Sequence, residues 1–227
     1  MGTHLVTGAG SGIGAALTDV LHARGESLLL VARTSERAAE LAARWQGAGT
    51  LVADLADAPD GALGDLDLPD SLDSVVHAAG AVDLGAVAEL TARQWRTQVD
   101  VNLLAPAELT RVALPALRAA RGTVVFVNSG AGLRANPGWA AYAASKHGLR
   151  ALAEALRAEE QEHGVRVSSI YPGRTATPMQ QRVHDQEGKA YDADEWIRPE
   201  TVAEAILQVL DLPRDATIPD LTVSPGP

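Results

Sequence analysis

Short aliphatic runs alternate along this chain with longer Ala- and Leu-rich stretches, and that alternation restricts the fold more than any other feature. Runs at His4–Thr7, Ser27–Ala32, Thr50–Ala53, Asp73–Ala78, Thr123–Asn128, Val165–Tyr171 and Leu221–Ser224 read as strands. Between them, Ile13–Arg24, Ser35–Trp45, Thr91–Ala119, Trp139–Glu162 and Pro199–Leu210 carry helical spacing. Val124-Val125-Phe126-Val127 is apolar at every position, so that strand is predicted to be covered on both faces, as a parallel sheet between two helix layers requires. The repeating order predicts an α/β fold with one doubly wound parallel sheet, spanning residues 1–227 as a single domain. Two stretches depart from the rhythm. Ala56–Ser71, rich in Pro and Asp, is expected to be a surface connection whose aspartates form a solvated face. Arg174–Trp196, after the sixth strand, is expected to be irregular and to overhang the carboxyl ends of the strands, where open α/β sheets bind ligands.

Composition narrows the function. With 46% hydrophobic residues, the 227-residue chain can bury a sizeable core. Its net charge of −10 argues against nucleic-acid binding through a broad basic surface. It leaves room for a small anionic ligand in a locally basic pocket. The absence of cysteine excludes a disulfide scaffold, thiolate catalysis and cysteine-bound zinc. The six histidines form no paired-ligand motif, so no metal is expected. No apolar run approaches the roughly 18 residues of a membrane span. The N-terminus carries no secretory pattern, and Val6 stands where a myristoylation motif needs Ser or Thr. A cytoplasmic protein without membrane partners is the expectation.

Four features carry chemistry. Thr7-Gly8-Ala9-Gly10-Ser11-Gly12-Ile13-Gly14 lies between the first strand and first helix. Glycines there allow a sharp turn and close approach to a pyrophosphate, whose charge meets free N–H groups at the helix N-terminus. A tight turn with no ligand is the alternative. The Gly-Lys-Ser/Thr of an NTPase phosphate loop is missing.

Second, Ala32 stands at the end of the second strand, where an acid would hydrogen-bond an adenosine ribose 2′-hydroxyl. Arg33 follows, with Arg37 one turn into the next helix. A guanidinium forks onto a 2′-phosphate, which favours NADPH over NADH; a surface arginine is the bland reading. Third, Tyr142 and Lys146 are four apart, one turn along a helix face. An ammonium about 4 Å away would favour the phenolate by up to about 4 kcal/mol at an effective dielectric near 20, turning the tyrosine into an acid/base. Fourth, Ser129 ends the apolar strand 13 positions before Tyr142 and can hold a carbonyl oxygen; alone, it would be a turn residue. Its neighbour Asn128 is the weaker candidate.

Together these residues resemble the short-chain dehydrogenase/reductase family over nearly the whole chain, and the resemblance implies a single NAD(P)-binding Rossmann-type domain. The family's Thr-Gly-x-x-x-Gly-x-Gly is matched by Thr7–Gly14, and its catalytic Ser, Tyr and Lys by Ser129, Tyr142 and Lys146. Asn102 matches its relay asparagine, implied to hold a water linking Lys146 to solvent. Asp54-Leu55 matches its adenine contact, and Pro172-Gly173 with Thr175 and Thr177 matches the segment bordering nicotinamide and phosphate. Gly8, Gly10, Ser11, Gly12, Ile13, Gly14, Arg33, Thr34, Ala79 and Gly80 complete the implied cofactor contacts, with Tyr142 and Lys146 at the ribose. Two departures stand out. The Asn-Ala-Ala-Gly motif reads His77-Ala78-Ala79-Gly80, and Ser11 replaces the basic residue of the glycine motif.

The resulting expectation is an NADPH-dependent oxidoreductase that interconverts a small-molecule ketone or aldehyde and an alcohol. The competing expectation is an NADP(H)-binding sensor that kept the fold and lost activity. A sugar-nucleotide epimerase is the lesser expectation, since those relatives usually carry a different glycine spacing and a longer C-terminal substrate domain than these 227 residues hold. Trp139, Leu133, Met179 and Trp196 either line an apolar pocket or pack ordinarily; Arg174 and His184 either meet an anionic substrate or face water. The family resemblance implies a homodimer or homotetramer through Thr91–Ala119 and Trp139–Glu162.

Overall fold

The computed structural model describes residues 1–61, 63, 64 and 66–226. Seven strands form one parallel sheet in the order β3-β2-β1-β4-β5-β6-β7: β1 Thr3–Thr7, β2 Ser27–Ala32, β3 Gly49–Val52, β4 Ser74–His77, β5 Thr123–Val127, β6 Arg166–Pro172 and β7 Asp220–Val223. Helices α1 Gly12–Ala23, α2 Ser35–Arg44, α3 Ala92–Val99, α4 Ala105–Ala120, α5 Ala140–Glu159, α6 Pro178–Glu187 and α7 Pro199–Leu210 connect or flank them. The doubly wound α/β expectation holds.

The strand pleat sorts the core. Val6, Val76, Val125 and Ile170 face Leu17 and Leu21 of α1, Leu41 of α2 and Ile206 of α7. Their neighbours Leu5, Val75, Val124 and Phe126 face Leu109 and Leu117 of α4 and Leu149 and Leu156 of α5. Alternate side chains enter opposite layers, which is why the strand sequences are apolar throughout rather than at every second position.

Strand order reverses between β1 and β4, both paired directly, so the chain leaves β1 towards β2 and later returns on the other side. At such a point the connections diverge and leave a crevice at the carboxyl ends of the strands. Thr7 fixes its floor: its hydroxyl accepts hydrogen bonds from the N–H groups of Ala78 and Ala79, each at 3.1 Å.

Three expectations need correction. The single helix over Thr91–Ala119 is two helices, α3 and α4, joined by a π-helical turn at Asp100–Leu104. Its apolar periodicity continues through the turn, so spacing alone hides the extra residue; such turns recur at functional sites, and this one carries Asn102. The Arg174–Trp196 segment is not irregular throughout, since α6 occupies Pro178–Glu187. Thr177 caps it by accepting from the Gln180 N–H, Pro178 opens it and Gly188 ends it in the left-handed region at φ 65°. Ala56–Ser71 is more than a surface connection: Leu63 is fully buried within it, and Leu72 immediately follows it into the same core layer. Asp57, Asp67 and Asp70 are exposed as expected, whereas Asp65 and the side chain of Asp60 lie outside the described residues.

Candidate active site

A cleft of about 740 Å³ runs along the carboxyl ends of the strands from Arg33 and Asp54 at one end to Tyr142, Arg174 and Glu187 at the other. Its first wall is the glycine turn. Gly8 sits at φ 71°, and a Cβ there would lie 2.7 Å from the Ala78 carbonyl carbon; a Cβ on Gly14 would lie 2.3 Å from the Gly8 carbonyl oxygen. The glycines thus let β1, the turn and α1 close onto one another. Ser11, the residue before α1, makes no side-chain cap, unlike Thr34 and Thr177, which cap α2 and α6. The first amides of α1 are therefore left for another acceptor.

At the β2 end, Arg33 is largely exposed and its Nε stands 3.8 Å from an Asp54 carboxylate oxygen. The other Asp54 oxygen accepts from the Ala56 N–H at 3.0 Å. Arg37 reaches over the glycine turn, its Nη2 donating to the Gly10 carbonyl at 2.7 Å and its Nη1 pairing with Glu40. Two guanidinium groups therefore flank the end of β2, and neither faces an acid on β2 itself. Such a cradle fits a dinucleotide: a glycine turn that a Cβ would fill, uncapped helix amides and arginines at the adenosine end.

The other end is built around α5. Tyr142 and Lys146 both line the cleft floor and are buried. The Lys146 ammonium donates to the Val127 carbonyl at 3.0 Å and lies 5.9 Å from the centre of the Tyr142 ring. Asn128 ties α5 to β5: its Nδ2 donates to the Lys146 carbonyl at 3.1 Å, and its Oδ1 accepts from the Ser129 N–H at 2.9 Å. Ser129 Oγ accepts from the Ala131 N–H at 3.1 Å, and both Ser129 and Tyr142 line the cleft. Asn102 clamps the opposite wall, Oδ1 accepting from the Ala81 N–H and Nδ2 donating to the Ala81 carbonyl, each at 2.8 Å. It also donates to Ser145 Oγ at 3.0 Å, and Ser145 donates onward to the Tyr142 carbonyl at 2.7 Å.

Electrostatics corrects one expectation. Burial pushes the Tyr142 phenol above its ordinary range, and the Ser129 hydroxyl is what pulls the other way. Burial outweighs the acidifying pull expected of Lys146, whose ammonium donates to the Val127 carbonyl. Burial also lowers Lys146 itself to about 8. The phenol therefore keeps its proton at neutral pH, while the lysine holds its own less firmly.

His77 is buried behind this site, with Nε2 2.9 Å from Thr110 Oγ1 and its ring stacked at 5.0 Å on Phe126. Desolvation, then the nearby Lys146 charge, lowers it to about 3. It is a neutral packing residue and bonds neither Ala81 nor Asn102. Of the other expected contacts, Gly10, Gly12, Ile13, Leu55, Ala79, Gly80, Pro172, Gly173, Thr175 and Thr177 line the cleft. The Thr175 and Thr177 hydroxyls are engaged locally, by the Gly173 carbonyl and the Gln180 N–H. Gly14, Thr34 and Asn102 stand outside the lining and act through backbone closure, capping and clamping. Sequence reasoning missed the role of Ser145, although it lies within Tyr-Ala-Ala-Ser-Lys. It undervalued Asn128, whose polarity at the end of an apolar strand was the signal. Among the described residues no group of three His, Asp or Glu side chains could hold a metal ion, and no helix is long and apolar enough to cross a membrane.

Residues 3–188 match the family model of the short chain dehydrogenases, and the chain belongs to that family. It is 29% identical over 226 residues to an uncharacterised oxidoreductase of Staphylococcus epidermidis, covering 97% of this chain and 96% of that protein. An alcohol dehydrogenase from the archaeon Thermococcus sibiricus, complexed with 5-hydroxy-NADP, superimposes with a TM-score of 0.81 at 26% identity, covering 98% of this chain and 96% of that one. A 4-hydroxyisoleucine dehydrogenase complexed with NADH gives 0.85 at 26% identity, covering 100% and 98%. The protein is thus an oxidoreductase of the short chain dehydrogenase family, and its solved neighbours include one complexed with 5-hydroxy-NADP and one with NADH.

Proposed function

We propose that the protein is an NADPH-dependent reductase of a small-molecule ketone or aldehyde, running in reverse as an alcohol dehydrogenase. The observation that carries this reading is the convergence of Ser129, Tyr142 and Lys146 at one end of a cleft whose other end is a glycine turn flanked by Arg33 and Arg37. When bound, the dinucleotide supplies a hydride to the carbonyl carbon. Gly8, Gly10, Ser11, Gly12 and Ile13 hold its pyrophosphate and Asp54 and Leu55 its adenine. Arg33, with Thr34 beside it, holds the 2′-phosphate. Ala79, Gly80, Pro172, Gly173, Thr175 and Thr177 border the nicotinamide end, with Gly14 supporting the turn from behind.

Ser129 holds the substrate oxygen, and Tyr142 donates the proton that the developing alkoxide takes up. A phenol kept neutral by burial suits that donation. Lys146 binds the ribose hydroxyls, and its lowered affinity for its own proton lets it pass one on towards Tyr142. Asn102 holds the wall against which these groups are set. We further propose a cytoplasmic homodimer or homotetramer, built from a single domain spanning residues 1–227, as the working form. A panel of ketones and aldehydes, followed by loss of NADPH absorbance and repeated with NADH, tests the reading. Turnover with NADPH at higher kcat/KM than with NADH is expected. Cofactor binding without turnover across the panel, or a preference for NADH, contradicts it.

A further inference from the structure

Arg174 follows Pro172-Gly173 directly at the end of β6, so its backbone is set at the reactive end of the cleft. The adjoining Thr175 bridges to Ile197, and the Arg174 carbonyl accepts from the Ile197 N–H at 3.2 Å. Its side chain lines the cleft and is held from three separate segments. Nη2 donates to Glu187 Oε1 at 2.6 Å on α6. Nη1 lies 3.4 Å from His184 Nε2, whose other nitrogen is 2.9 Å from the Gln180 carbonyl. Nδ1 also lies 3.0 Å from the Gln180 side-chain amide nitrogen; in the tautomer in which Nδ1 donates to the carbonyl, Nε2 is an acceptor facing the arginine. Two indoles flank the guanidinium, with ring centres at 5.9 Å for Trp139 and 5.4 Å for Trp196. Trp139 in turn meets Tyr142 edge-on at 5.9 Å, so one indole touches both this cation and the phenol.

The charge balance of this corner runs against that of the molecule. Glu187 is shared, its Oε2 accepting from Lys189 at 3.1 Å, so Arg174, Lys189 and Glu187 together leave one positive charge. Arg182 lines the same cleft, although the whole chain carries −10. A guanidinium has five N–H donors in a fixed planar fork; Glu187 and His184 occupy two of them.

We infer that Arg174 is the specificity-determining residue of the site and receives a carboxylate on the substrate, so that the preferred substrates are oxo- or hydroxy-carboxylates. The indoles restrain the guanidinium plane, which a planar carboxylate meets edge to edge. Glu187 acts as the internal anion that the substrate carboxylate joins or displaces. This inference rests on the reductase reading for its kinetic arm and stands apart from it in its binding arm.

The kinetic arm compares a series of oxo-carboxylates graded in the distance from carbonyl to carboxylate with their methyl esters and with ketones carrying a phosphate instead. At least one acid is expected to exceed its ester in kcat/KM by about ten- to a hundredfold, the range of a charge-assisted pair. Arg174→Met should erase that preference through KM, with kcat for the acid changing much less. Glu187→Gln, which keeps the arginine and removes its counterion, should lower KM for the acid. Esters or phosphates reduced as well as the acids by the wild type overturn the inference and leave the reductase reading intact. If nothing is reduced, the reductase reading fails, and the binding arm decides: the acids are titrated against tryptophan fluorescence, since Trp139 and Trp196 border the arginine. Saturable quenching absent from the ester and lost in Arg174→Met supports the inference. No saturable change in the wild type overturns it.

Discussion

Lys146→Met should make the protein more stable at neutral pH while disabling it. Burial lowers the Lys146 pKa from 10.5 to about 8, and every tenfold loss of proton affinity is worth about 1.4 kcal/mol. Keeping that ammonium charged therefore costs the folded state about 3 kcal/mol relative to the unfolded chain. Below pH 8 both states hold the proton and the whole penalty stands. Between pH 8 and 10.5 the unfolded chain holds a proton that the folded one has shed, so stability rises with pH; above 10.5 the penalty is gone. Methionine is similar in length and uncharged, but it leaves the Val127 carbonyl without the Lys146 donor, a loss of about 1–2 kcal/mol. The variant should thus gain about 1–2 kcal/mol at pH 7, and by about pH 10.5 it should be the less stable form. Urea unfolding followed by tryptophan fluorescence at several pH values measures both. A variant less stable than the wild type at pH 7, or a difference that does not change with pH, would refute the reasoning.

Two further outcomes follow from the same site. His77 is held near 3 against an ordinary 6.5, so its contribution is intact above pH 6.5 and is lost as pH falls towards 3, by about 1.4 kcal/mol for each tenfold rise in proton concentration. His77→Asn should flatten the stability-versus-pH slope in that window, read from urea midpoints; an unchanged slope contradicts the buried neutral imidazole. Ala32→Asp places a carboxylate at the end of β2, where Ala32 is buried beside Arg33. The ratio of NADPH to NADH dissociation constants should rise at least tenfold, the scale of about 1.4 kcal/mol; a ratio that stays or falls argues against a 2′-phosphate beside Arg33.

The sheet could be read from the sequence because each strand is a short aliphatic run set off by turn residues, and every one of the seven appears within a residue or so of its expected ends. The site was readable where chemistry demands a residue type at a fixed helical offset, as with Tyr142 and Lys146, or a turn that only glycine can make. Three things were hidden. The π turn at Asp100–Leu104 preserves apolar spacing on either side of an inserted residue, so periodicity runs straight through it. α6 is short and mostly polar, with only Gln180, Val183 and His184 buried, so its capping pattern of Thr177, Pro178 and Gly188 was the sole trace. The direction in which the phenol's proton affinity moves is set by burial, and the offset of four fixes the helix face but neither that burial nor the contact of Lys146 with Val127.

Proton donation by Tyr142 is tested most directly by Tyr142→Phe, with kcat and the NADPH dissociation constant measured on the same preparation. The account predicts a fall in kcat of about 10²–10⁴, the range for a lost acid/base group, with cofactor affinity changed less than about tenfold, or 1.4 kcal/mol. A variant that turns over at close to the wild-type rate would contradict it.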